Sequence, residues 1–120
     1  MGYNITKLRN ELTEKGYADD GLVAWGNAGS GALFGAVGAA LASMHVISKK
    51  GNAILVIPFS NKEIFYSKGL KFEKQKISSV SFKGLLTKKL TIKTIDGQVF
   101  KYSITQGAGA VKTILNSLAL

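Results

Sequence analysis

The residues able to do chemistry in this sequence are few, and their spacing assembles no reaction centre. His45 is the single histidine and sits among Met44, Val46 and Ile47. In that apolar setting an imidazole serves as a core or interface group rather than as a base or ligand. The absence of cysteine excludes a thiol nucleophile, thiolate metal sites and a disulfide scaffold. The carboxylates lie mostly in the N-terminal region and pair with no nucleophile in a readable motif. Gly26 and Gly31 have the Gly-x-x-x-x-Gly spacing of a phosphate cradle, but Ala32 and Leu33 stand where Lys and Ser or Thr belong. The residues thus name no catalytic group, no cofactor, no metal site and no small-molecule substrate.

What the chain does have is lysine. Sixteen basic residues against seven acidic give a net charge of +9 over 120 residues. Nearly all of that charge lies between Lys49 and Lys101, where twelve lysines face Glu63, Glu73 and Asp96. The first 48 residues are close to neutral, with Lys7, Arg9 and Lys15 against Glu11, Glu14, Asp19 and Asp20. Arg9 is the one arginine. Lysine is a hydrated point charge on a flexible stem, without the planar fork that reads base edges or grips phosphate bidentately. A lysine surface therefore fits diffuse attraction to anionic headgroups or an acidic protein, or plain solubility. The candidate anion- or lipid-binding residues are Lys49, Lys50, Lys71, Lys74, Lys76, Lys83, Lys88 and Lys89, which cluster at expected strand ends and turns. Phe65, Tyr66, Phe72 and Phe82 interleave with them, but alternation assigns most of these rings to the core, which argues against a nucleic-acid face.

The elements that must position these lysines divide the chain at about residue 48. Residues 3–16 predict a short amphipathic helix, with Ile5, Leu8 and Leu12 at helical spacing and Gly16 as its stop. Residues 22–47 hold no Asp, Glu, Lys or Arg, and twelve of the 26 are Gly or Ala. As a helix this segment would run about 39 Å, enough to cross a bilayer, although its composition makes insertion marginal. Gly31, Gly35, Ala39 and Ser43 recur every four residues and are the candidate helix-packing positions. Such a stripe lets two helix backbones approach closely, either in lipid or in a tight soluble pair. Trp25 at the edge of the segment suits an interfacial anchor or a core residue equally. Ala40-Leu41-Ala42 has the form of a cleavage site, but the segment lies too far from the N-terminus, behind too acidic a stretch, to be a convincing signal peptide.

From residue 49 onward the pattern is strands followed by one helix. Ala53–Phe59 is an apolar run of strand length that Pro58 ends or places at an edge. Glu63–Ser67, Leu70–Lys74, a strand around Val80 and Phe82, Lys88–Ile95 and Gln98–Ile104 complete six, and Met44–Ser48 could supply a seventh. Asp96-Gly97 marks a hairpin whose register can be derived. A two-residue loop would set Ile92 against Lys101 and mix apolar and charged residues on each face. A three-residue loop, with Gly97 left-handed, pairs Ile92 with Phe100 and Leu90 with Tyr102. That register puts Leu90, Ile92, Phe100, Tyr102 and Ile104 on one face and Thr91, Lys93, Val99, Lys101 and Ser103 on the other. Val111, Ile114, Leu115 and Leu118 form one apolar stripe on a C-terminal helix over Gly107–Leu118, which should cover the sheet.

Pro58–Ser67 (PFSNKEIFYS) and Lys76–Ile104 (KISSVSFKGLLTKKLTIKTIDGQVFKYSI) resemble bacterial pleckstrin-homology-like domains of the YokE-like and GRAM-like kind. The likeness covers roughly residues 51–120 and rests on strand faces and turns rather than on chemistry. The resemblance implies an antiparallel β-barrel of six or seven strands (49–120) capped by a C-terminal helix; with the N-terminal helices expected over 1–48 from their spacing, the fold class is α+β. The resemblance also implies a non-enzymatic binding or adaptor module, with an anionic lipid or an acidic protein as partner. The alternative is an oligomerising scaffold, a homo-oligomer assembled through the Gly/Ala-rich helix. The expected location is the cytoplasm, with membrane association through residues 22–47. Lys49-Lys50 beyond that segment would keep the barrel on the cytoplasmic side.

Overall fold

Alternating apolar and polar residues from Leu70 onward dictate strands with one oily face, and the structure, a computed structural model, describes residues 3–28 and 44–120. In chain order the elements are α1 (Ile5–Glu14), β1 (Val23–Ala28), β2 (Met44–Lys50), β3 (Ala53–Pro58), β4 (Leu70–Glu73), β5 (Ile77–Lys83), β6 (Lys88–Thr94), β7 (Val99–Gln106) and α2 (Ala108–Ser117). The seven strands form one antiparallel sheet in the order β4-β3-β2-β1-β7-β6-β5. A flat sheet of seven strands would hold its two edges nearly 30 Å apart, at about 4.8 Å per strand. Yet only a 3-10 turn, Lys74–Lys76, links edge strand β4 to edge strand β5, and so short a link spans at most about 14 Å. The sheet must therefore curl, and it forms a half-barrel rather than a closed barrel, with β4 and β5 as its two edges.

The concave side holds the main core. Ile54, Val56, Phe72, Leu90, Ile92, Phe100, Tyr102 and Ile104 meet Val111, Ile114, Leu115 and Leu118 of α2 there. The C-terminal helix thus fills the open side of the sheet with the predicted stripe. The β6–β7 hairpin has the predicted register, Leu90 opposite Tyr102 and Ile92 opposite Phe100. Gly97 is left-handed at φ 91°, and the Thr94 and Gln98 backbones close the three-residue loop with a 3.0 Å hydrogen bond.

A second core lies on the convex side, under α1. Leu8 and Leu12 pack against Val23, Val46, Leu55, Ile57 and Phe59. Asn4 caps this helix, its side-chain oxygen accepting from the Lys7 N–H at 2.8 Å. β3 lies between the two cores and is buried along its whole length, which is why Ala53–Pro58 shows no alternation. Pro58 ends the strand, which is an interior one.

Two expectations are corrected. The segment 22–47, predicted as a helix, begins and ends as strands: Val23–Ala28 is β1, and Met44–Ile47 opens β2 and pairs with it. The helical expectation fails because β1 and β2, like β3, are covered by both cores and need no polar face, and an uncharged run of that kind reads equally as a buried helix. Val23 and Ala24 are adjacent, both fully buried, and belong to opposite cores. The candidate packing stripe Gly31, Gly35, Ala39 and Ser43 lies outside the described residues, among which no helix is long and apolar enough to cross a membrane. β2 also runs through positions 48 and 49, so the N-terminal segment and the lysine-rich segment share a strand. The second correction concerns Glu63–Ser67. Only Ile64 bridges back, to Phe59, and a 3-10 turn at Tyr66–Lys68 follows. Stacking of Tyr66 on Tyr17 at 4.6 Å pulls the chain out of the sheet there.

Gly26 belongs to this architecture and to no phosphate loop. A Cβ at that position would lie 2.0 Å from the Ser103 carbonyl oxygen, where β1 bulges against β7. Gly26→Ala should therefore lower the unfolding free energy by more than about 3 kcal/mol or abolish folding. Gly97→Ala, with open space around its Cβ, should cost about 1–2 kcal/mol through its positive φ alone. Urea titration of the two variants checks the order.

The same folds predict an alkaline limit. Burial, with Glu11 second, pushes the Tyr66 phenol up to about 12, and burial lifts Tyr102 higher still. In the unfolded chain both titrate near 10. Folding thus favours the protonated phenols, so this stabilisation is complete below about pH 10 and is lost as pH rises through the folded values. The urea midpoint should fall above pH 10, and Tyr66→Phe with Tyr102→Phe should flatten that fall.

Candidate anionic-surface site

The convex face of β5, β6 and β7 is built by subtraction. Leu90, Ile92, Phe100, Tyr102 and Ile104 turn into the core, so the intervening positions must face outward. They are Ser79, Ser81 and Lys83 on β5, Lys89, Thr91 and Lys93 on β6, and Val99, Lys101 and Ser103 on β7. The register places Ser79 opposite Lys93, Lys83 opposite Lys89, and Thr91 opposite Lys101. Lys83, Lys89, Lys93 and Lys101 are all exposed, and none of the three strands contains an Asp or Glu. Lys83 and Lys89 face each other directly across the ladder, an arrangement that like-charge repulsion disfavours.

The other candidate lysines occupy different surroundings. Lys49 is tied to Asp19 at 3.8 Å, its side chain only 16% exposed. Lys50 donates its ammonium to the Gly16 carbonyl just past the end of α1 and lies 6.0 Å over the Tyr17 ring. The Gly51 N–H donates to the same Asp19 carboxylate at 2.7 Å. These contacts bind the β2–β3 turn to the N-terminal segment, so Lys49 and Lys50 hold α1 in place.

Lys71 and Lys76 border a cleft of about 340 Å³ between β4 and the β6–β7 hairpin. Phe72 and Phe100 line it, their rings edge to face at 4.9 Å. Asp96 also reaches the cleft, but its carboxylate accepts from the Thr94 hydroxyl and from the Gln98 N–H. That bonding, the hydroxyl first, holds its carboxyl below the usual range. Asp96 shapes the hairpin, and the Lys76 charge on the same cleft also favours its carboxylate form. Lys74, exposed in the link between the two edges, donates its backbone N–H to the Asn52 carbonyl at 2.8 Å. Lys88 opens β6 beside Lys89 at the other end of the strands.

The eight candidates therefore fall into three places; of the group at the β5–β6 end, Lys83 and Lys89 join a continuous outward face, whereas Lys88 shares the side of β6 that carries Leu90 and Ile92 and is exposed at the strand's end. Lys93 and Lys101 complete that face and were not singled out from the sequence, although the derived hairpin register already puts both on the polar side. His45 lies against Tyr102, ring centroids 5.6 Å apart. Trp25 is a packing residue, its ring edge to face with Phe59 at 5.7 Å. Among the described residues no group of three or more His, Asp or Glu side chains could hold a metal. No protein-family model and no curated protein matches the chain.

The geometry separates lysines that support the fold from lysines that strain it. Lys50→Met should lower the unfolding free energy by about 0.5–1 kcal/mol, the worth of a cation at a helix C-terminus. Lys89→Thr should raise it by a few tenths of a kcal/mol at low salt, a gain that high salt erases. Urea unfolding of both variants at two ionic strengths reads the opposite signs.

Proposed function

We propose that this chain is a non-enzymatic binding module of the pleckstrin-homology-like kind that rests its lysine face on an anionic membrane surface. The observation that supports this most is the outward row Lys83, Lys89, Lys93 and Lys101 on three adjacent strands that contain no acid. A lysine held near an anionic leaflet contributes about 1 kcal/mol, so four together give binding of consequence where one would not. Their place on the convex side of a curled sheet suits an extended plane of headgroups. The choice of lysine over arginine suits it too, since diffuse attraction needs charge and no bidentate geometry. Seven antiparallel strands and a C-terminal helix lend this reading support at the level of architecture. Anionic lipid is concentrated on the cytoplasmic leaflet, the side on which such a face would work.

Co-sedimentation with vesicles tests the reading. Binding should rise with the fraction of phosphatidylserine or phosphatidylglycerol and fall at least about tenfold from low to high salt. The variant K83S/K89S/K93S/K101S, whose four sites are exposed, should keep its circular dichroism and lose most of that binding. Equal binding to neutral vesicles, or a quadruple variant that binds like the parent, sinks the reading.

A further inference from the structure

The β5–β6 connection is short, running from Lys83 to Lys88. Lys83 and Lys89 are the last paired residues at its base. Gly84, at φ 149°, brings the two limbs so close that a Cβ there would lie 2.0 Å from the Thr87 carbonyl oxygen. Leu85 and Leu86 stand at its tip with 101% exposure each, more than any other large apolar side chain among the described residues. A single exposed leucine is ordinary, but two adjacent ones fully in water at a hairpin tip are not.

Their neighbours identify what covers them. Lys83, Lys88 and Lys89 surround the pair, and the stretch from Lys74 to Ile95 holds six lysines and no acid. The core of a protein–protein contact favours aromatic side chains and arginine and is depleted in lysine. A second copy meeting it tip to tip would bring lysines against lysines. An apolar point ringed by flexible cations instead matches the boundary of an anionic bilayer, where leucine enters the acyl region and lysine stems reach back to the headgroups.

We propose that the β5–β6 tip is a membrane wedge: Leu85 and Leu86 insert into the headgroup–acyl boundary of an anionic bilayer while Lys83, Lys88 and Lys89 engage its phosphates. The inference rests on the membrane reading above and adds to it the element that penetrates. The opposed pair Lys83 and Lys89 then finds at the bilayer the counter-charge that its own strands lack.

The full chain offers a clean test because it has no cysteine. Leu86→Cys carrying an environment-sensitive fluorophore should shift to the blue and brighten on phosphatidylserine vesicles. Thr13→Cys on exposed α1, labelled likewise, should stay unchanged. L85S/L86S should keep the parent's thermal melt and salt slope but partition at least about tenfold less. If the parent binds anionic vesicles while the label at 86 stays aqueous and L85S/L86S binds undiminished, the wedge is overturned and the lysine face stands. If the label at 86 buries equally in neutral vesicles, the lysines play no part in insertion, and both the anionic wedge and the electrostatic reading are overturned. If the full chain binds no vesicle at all, both are overturned.

Discussion

Everything in this fold hangs on β1, the strand that joins two half-sheets. β2, β3 and β4 lie on one side of it and β7, β6 and β5 on the other, and among the described residues no other strand bridges them. Its pairing with β7 requires a close backbone approach that only a residue without a Cβ allows, at Gly26. β1 also separates the interiors, sending Val23 to the core under α1 and Ala24 to the core filled by α2. A single strand thus joins the two half-sheets and divides the apolar residues between the two cores on which the helices pack. The neck of α2 depends on it as well, since Gly107 sits against the Ala24 backbone.

That division explains the uneven charge of the chain. The half-sheet from β1 to β3 is covered on both faces, by α1 outside and α2 inside, so its strands have almost no place for a charge until β2 leaves the core at Lys49. The half-sheet from β5 to β7 is covered inside only, so every second residue meets water. Alternation there is compulsory, but lysine is not: serine and threonine satisfy the same positions at Ser79, Ser81, Thr91 and Ser103. The excess of lysine over any acid is thus a property of the face beyond what folding demands.

Legibility in the sequence follows the same line. Strands with one wet face could be read, down to the three-residue loop at Ile95–Gly97, because a slip of one residue would have put Lys93 and Lys101 in the core. The α2 stripe was readable for the same reason. β1 was not, because two-sided burial removes the polar marker that tells a strand from a helix. Leu70–Glu73 came through and Glu63–Ser67 did not, because the Tyr17–Tyr66 stack is a contact across 49 residues that no local pattern contains. Charge located the lysines but not their partners. Lys49 and Lys50 differ from Lys83 and Lys89 only in what the fold sets beside them: Asp19 and the Gly16 carbonyl in one case, another lysine in the other.

The opposition of Lys83 and Lys89 ties stability to function. In the unfolded chain the two can separate, whereas pairing β5 with β6 holds them across one rung of the ladder. The hydrophobic side of the same strands, where Leu90 and Ile92 are fully buried, easily outweighs a penalty of a few tenths of a kcal/mol. A fold can therefore tolerate such a pair at little cost, and folding gives no reason to have it. Its position matters more than its size. It stands at the base of the tip that carries Leu85 and Leu86, where an anionic plane would meet both lysines as the leucines leave water. Repulsion inside the folded chain and attraction to an external anion are one electrostatic fact, and only the second gives the arrangement a use.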